Sequence, residues 1–320
     1  MRRWPVEFDN GCMEAVRQDR IDRALTWSVR TMAIASVVAA AGVVVDDREL
    51  LGVPVWWKPL KFSLSIAISV IGLQWLRRRL PRDRWVDAAA LIAAISLIVE
   101  QVLIAMQAAR GVRSHFNTAT PFDAQVFGLM GTFVGIVFVA GLIVAWRSFV
   151  HRALDPVTRA VVTAGSNVTV LGMLVGFAMT MPLPNQNLPT GIVGAHSVGG
   201  PDGGPGLPLL GWSTEHGDLR VAHFVGLHAF HLLIVLAAWL RRQDRPVERT
   251  RTTVIATATS LGVATVLLAV QALAGYSVAS PSTVLVAAIS IAAATAVGRA
   301  AASVRQSSPT SNPTPVGAPR

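Results

Sequence analysis

Cysteine is almost missing: Cys12 is the only one in 320 residues. That excludes an internal disulfide, a C-x-x-C-H haem attachment and a four-cysteine iron–sulfur centre. Charge is scarce too, at 14% of residues, where a soluble domain of this length carries roughly 25%. Lysine is nearly absent, with 2 residues against 26 arginines. The first 23 residues hold no apolar h-region. No cleavable signal peptide is therefore expected, and the first span serves as an uncleaved insertion signal.

What the chain has instead is apolar residues in long runs. Hydrophobic residues make up 52% and the mean hydropathy is +0.51. Runs fall at about 24–45, 59–76, 86–108, 123–146, 157–181, 219–240, 252–275 and 282–298. Each is close to or above the ~18 residues that read as a crossing of a ~30 Å hydrocarbon core. The last is rich in alanine, which contributes little insertion free energy. The sequence predicts an all-α, polytopic transmembrane helix bundle of about eight spans. Residues 1–23 form a cytoplasmic segment, 24–300 the helical domain, and 301–320 a disordered tail rich in Pro, Ser and Thr. The 36-residue loop 182–217 carries six Pro, nine Gly and no Lys or Arg; loops of that length tend to be lids, binding loops or disorder.

The net charge of +10 could point to nucleic acid. The basic residues, however, lie between the apolar runs on alternate sides. With the N-terminus inside, 21 Lys and Arg fall in cytoplasmic segments and 6 outside, Arg30 being set aside within the first span. The positive-inside rule then puts both termini in the cytoplasm. The expected partner is the lipid bilayer, not nucleic acid, and the expected location is a bacterial cytoplasmic membrane. Tryptophans at span ends agree, and "VWWKPLKF" reads as an interfacial anchor with Lys58 and Lys61 snorkelling outward. A role for Lys61 in binding an anion is the alternative.

Against this apolar background the polar residues are informative, since an Asp, Lys or Arg at mid-helix costs ~2.5–3.5 kcal/mol on insertion scales. The sixth span, "DLRVAHFVGLHAFH", carries Asp218, Arg220, His223, His228 and His231. At about 100° per residue, Arg220, His223, His228 and His231 fall within an arc of about 140°. On the third span Glu100 and Gln107 share a face with Ser96. Counting at ~1.5 Å per residue puts Glu100 and His228 at similar depth in the outer half, so a Glu100–His228 pair is expected if the two spans touch. Arg110 and His115 follow in "ARGVRSHFN". The candidate ligand or proton-relay residues are thus Glu100, His115, His223, His228 and His231. Gln107, Arg110, Asp218, Arg220 and Lys61 form the candidate rim for a substrate.

Imidazoles with a carboxylate suit Zn, Cu or Fe, which makes Glu100, His115, His223 and His228 candidate donors for a divalent metal. The five-residue step from His223 to His228 is unlike the i, i+4 pair of zinc proteases. Haem could be held by one His from each of two helices, but no two-haem spacing is present. Histidine and a buried carboxyl can also exchange protons near neutrality.

The segments "GPDGGPGLPLLGWSTEHGDLRVAHFVGLHAFH", "VPVWWKPLKFSLS" and "RGVRSHFN", about 60 residues together, resemble a family of uncharacterised multi-pass membrane proteins of actinobacteria and related bacteria. The resemblance implies the membrane location and topology and assigns no catalytic residue. It also implies Gln where His231 stands, while His223 and His228 fit its pattern. The leading expectation is an outward-facing intramembrane Glu/His/Arg site for a metal, haem or small polar ligand. A proton-coupled transporter and a structural membrane protein without ligand are the alternatives.

Overall fold

The computed structural model describes residues 10–280 and 282, apart from 82, 152–153, 184–185 and 187. Seven helices account for most of it: α1 (Asn10–Val45), α2 (Trp57–Arg77), α3 (Arg84–Ala109), α4 (Pro121–Val150), α5 (Pro156–Ala178), α6 (Leu219–Arg242) and α7 (Val247–Leu273). Each contains a stretch long and apolar enough to cross a membrane. The expectation of eight spans is corrected to seven among the described residues; the run at 282–298 and the tail lie outside them. The helical class stands, with two short antiparallel pairs added, β1 (Glu49–Leu50) with β2 (Val53–Pro54) and β3 (Ser197–Val198) with β4 (Gly217–Asp218).

The helix starts are written in local chemistry. Asp83 accepts from the Trp85 N–H at the head of α3, Asp155 from Val157 and Thr158 at α5, and Asp218 from Arg220 at α6. Thr120 caps α4 through the Asp123 N–H, with Pro121 opening the helix. A capping oxygen satisfies backbone donors that a helix leaves free in its first turn, and proline at that position gives up no hydrogen bond. α1 starts earlier than expected, inside the polar N-terminal segment, although its apolar part begins at Arg20.

Helices α2, α3, α4, α5 and α6 form a closed circuit, each packed on the next and α6 returning to α2. α1 backs onto α2 and α3, and α7 onto α5 and α6. The helices alternate in direction, so the short connections 78–83, 151–155 and 243–246 gather at one end, here the basic end. The longer segments 46–56, 110–120 and 179–218 gather at the other, the loop end. The basic half of the bundle is filled by apolar side chains from six helices, among them Leu76, Val86, Val144, Val161, Leu233 and Val254. The outward surface is also apolar, with Ile34, Val37, Ile95, Val102, Val139, Leu232 and Val235 exposed. An apolar exterior of this extent marks a surface that does not face water.

Ion pairs tie the helix ends at the basic end. Arg77, buried in α2, reaches Asp87 of α3 at 2.6 Å and Asp22 of α1 at 2.5 Å. Asp83 receives Arg147 at 2.5 Å and His151 at 2.8 Å. Burial alone would raise the Asp83 carboxyl, but the His151 and Arg147 hydrogen bonds hold it at about 2.

From residue 188 on, the 182–217 loop folds over the loop end as a lid. Asp202 accepts the backbone N–H groups of His196 and Ser197 and lies 2.9 Å from the His196 ring. Burial works against its charge, yet those bonds keep it ionised, well below the usual carboxylate range. The lid is pinned to the helices at several points. Lys61 Nζ donates to the Leu210 carbonyl (2.9 Å), Trp57 Nε1 to that of Leu209 (2.5 Å) and Arg220 to that of Gly211 (2.7 Å).

Candidate functional site

Glu100 is 3% exposed, one-third of the way down α3 from the loop end. Its two carboxyl oxygens receive no hydrogen bond from the described residues. Stripping a polar group of water without a compensating bond costs roughly 2–7 kcal/mol, and a charge costs more. What faces the carboxyl is therefore the informative part of the structure.

Its nearest ionisable neighbour is His115, with Nε2 3.4 Å from Glu100 Oε1 but outside hydrogen-bonding geometry. His115 comes from the α3–α4 connection, where Phe116 takes a left-handed backbone (φ 62°), uncommon for a bulky residue. At this bend His115 meets Glu100, while Phe116 packs on the lid at His196, ring centroids 5.0 Å apart. Ser114 Oγ lies 3.1 Å from His115 Nδ1. Burial first, then the nearby positive charge of Lys58 and the His196 and His223 rings, push His115 well below its ordinary value. The imidazole is neutral at physiological pH.

The third participant comes from α2. Lys58 acts electrostatically on Glu100 without a hydrogen bond to it, and its Nζ sits 5.6 Å from the Phe62 ring centre. Phe62 in turn touches the His115 ring at 5.8 Å. A carboxyl group, a neutral imidazole and an amine thus come from three chain segments, the imidazole and the amine both near the Phe62 ring. Sequence reasoning took Lys58 for an interfacial anchor. The available signal was its place on a helix neighbouring the one that carries Glu100, which no one-dimensional pattern reveals.

The expected Glu100–His228 pair is corrected. α2 lies between α3 and α6, and His228 Nε2 meets Ser65 Oγ of α2 at 3.0 Å. His223 uses Nδ1 on the Gly172 carbonyl of α5 at 2.8 Å. His231 lies against His228, ring centroids 5.4 Å apart and tilted by 48°, and its Nδ1 is buried without a hydrogen-bond partner among the described residues. Among the described residues no three His, Cys, Asp or Glu side chains gather closely enough to hold a metal ion. The four expected donors do not gather: His223 is bonded to the Gly172 carbonyl of α5 and His228 to Ser65 of α2.

The expected rim residues are placed as follows. Asp218 is buried and bound by Arg220 at 2.6 Å and by the Ser213 N–H. Arg220 and Lys61 hold lid carbonyls. Gln107 and Arg110 bond each other and Asp123 at the start of α4, at 2.9 and 2.6 Å from its Oδ1. Every one of these groups lies at the loop end, and all are engaged with protein partners. Glu100 is not.

Comparison of the chain with known protein families, with curated proteins and with solved structures gave no match.

Proposed function

We propose that this chain is an integral protein of a bacterial cytoplasmic membrane with both termini in the cytoplasm. Glu100, His115 and Lys58 then form a proton-exchanging site for a small polar ligand, reached from the non-cytoplasmic side beneath the lid. One observation carries this reading: a carboxyl group 3% exposed with neither oxygen hydrogen-bonded. Such a group is tolerable as a protonated acid or when an entering donor satisfies it. Ionisable groups inside an apolar bundle are by default functional. The neutral His115 ring lies 3.4 Å away, outside hydrogen-bonding geometry, so it gives the carboxyl no ion pair. The 21-to-6 distribution of Lys and Arg between the two sides supports the orientation. Membership of the actinobacterial multi-pass family belongs to the same proposal and rests on the three segments quoted for it.

A site open to one side is favoured over proton-coupled transport. From Glu100 toward the basic end the circuit is packed with Leu76, Val161, Leu233 and Val254, and Arg77 is locked between Asp22 and Asp87. Among the described residues no polar file continues through that half.

The test is covalent labelling of the full chain in lipid nanodiscs by dicyclohexylcarbodiimide, which enters apolar surroundings and reacts with protonated carboxyl groups. One adduct on Glu100, absent from Glu100→Gln, is expected. Labelling confined to other carboxyls across the pH range would overturn the reading.

A further inference from the structure

The basic end holds a polar feature unrelated to Glu100. A cleft of about 170 Å³ opens where α2, α5 and α6 finish or begin, with Val161 and Ala237 on its floor. Two guanidinium groups border it. Arg241 donates to Asp155 Oδ1 at 2.5 Å and to Thr158 Oγ1 at 3.1 Å, which fixes its position. Arg79 sits over the Trp75 ring, Cζ 4.1 Å from the centre, and among the described residues donates only to the Trp75 backbone carbonyl at 3.5 Å. It has no carboxylate partner among the described residues. Burial and the neighbouring Arg241 charge both hold Arg79 below its ordinary value, a sign that the two cations converge. Two arginines against Asp155 leave the cleft one positive charge in excess.

The cleft also sits at a chemical boundary. Trp75 and Trp239 mark the ends of α2 and α6, as tryptophan does at membrane interfaces. Along α6 the surface continues as exposed Leu232 and Val235. Basic pockets between helices at such a level suit phosphate headgroups, and an arginine pair offers forked donors to phosphate oxygens.

We infer that this cleft binds the headgroup of one anionic phospholipid, its phosphate between Arg79 and Arg241 and its acyl chains on the apolar face of α6. The inference rests on the membrane reading and not on the Glu100 site. The volume admits a headgroup and excludes the chains, which have the exposed flank of α6 to lie on.

The experiment titrates the full chain in detergent with short-chain phosphatidylglycerol, with phosphatidylcholine of the same chain length and with inorganic phosphate, reading the unfolding temperature and lipid retention by native mass spectrometry. Phosphatidylglycerol is expected to bind at least about fivefold more tightly than phosphatidylcholine, the factor ascribed to one basic residue at a membrane surface. Arg79→Ala should erase that preference and leave the lipid-free unfolding temperature unchanged, with Arg79→Gln as the substitute if the alanine variant does not fold. Arg78→Ala, removing an exposed neighbour 3.7 Å from Asp22, should keep the preference, as should Glu100→Gln. Equal binding of the two lipids, or a preference that survives in the Arg79 variant, overturns the proposal. So does displacement of phosphatidylglycerol by millimolar phosphate, which would mark a site for the free anion.

Discussion

Where α5 and α6 cross, glycine meets glycine, and this contact sets the position of His223. A Cβ added at Gly172 would lie 2.5 Å from the Leu227 nitrogen and 2.7 Å from the Gly226 carbonyl carbon. Ordinary contact begins near 3.4 Å, so Gly172→Ala must push the helices apart by about 0.9 Å. The obstacle is backbone and cannot rotate away. A gap of 0.5–1 Å forfeits a quarter to a half of each dispersion contact. For a leucine-sized patch of roughly 50 contacts at about 0.15 kcal/mol each, the loss is about 2–4 kcal/mol. Gly128→Ala on α4 is the control: its Cβ would meet nothing within 4 Å, and the exchange removes a flexible helix residue at a gain of up to about 1 kcal/mol. Both variants would be unfolded reversibly in bicelles with increasing SDS. The first should lose 2–4 kcal/mol, on the order of overpacked cores, and the second should lose nothing. Equal effects at the two positions would refute the packing argument.

Three further outcomes follow from the polar groups. His115 is neutral in the fold because its value is pushed well below the ordinary 6.5, so only the unfolded chain takes up its proton as pH falls through 6.5. Wild type should lose about 1.4 kcal/mol per pH unit below that point relative to His115→Phe, levelling off at the folded-state value; parallel stability curves would contradict this. Asp87→Asn leaves the buried Arg77 with one carboxylate fewer and should cost roughly 3–5 kcal/mol, read in the same SDS titration, and a loss below 1 kcal/mol would count against it. His151→Ala removes one of the two side chains that hold the Asp83 carboxyl at about 2, so the variant should lose stability at a higher pH than wild type as acid is added; a mid-point unchanged between pH 5 and 2 would be the opposing result.

The helices were legible because apolar runs of span length are a local signal; the Asp, Thr and Pro starts at 83, 120–121, 155–156 and 218 are local as well but went unused. Asp83, Asp155 and Asp218 each bond the N–H groups two or three residues ahead. The loop end was also legible as the place where Glu100, His115, Arg110, Asp218 and Arg220 collect, since burying ionisable groups is costly wherever they occur. Which of them touch was not legible. Depth counting put Glu100 and His228 level, but depth is one coordinate, and the order of helices around the circuit is another. α2 stands between them, giving Ser65 to His228 and Lys58 to Glu100. The basic-end network was missed for a similar reason. "RRRLPRDRWVD" entered only as part of the count of cytoplasmic Lys and Arg, while folding turns Arg77 and Asp87 inward until each side chain is 4% exposed.

The unpaired acid in α3 is the centre of the account, and infrared difference spectroscopy in H₂O and D₂O reads its protonation directly. Reconstituted protein stepped between acidic and alkaline buffer should show a carboxylic C=O band that shifts in D₂O, changes with pH and vanishes in Glu100→Gln alone. A spectrum in which that variant matches wild type at every pH would mean Glu100 does not exchange a proton, and the proposed site would be gone.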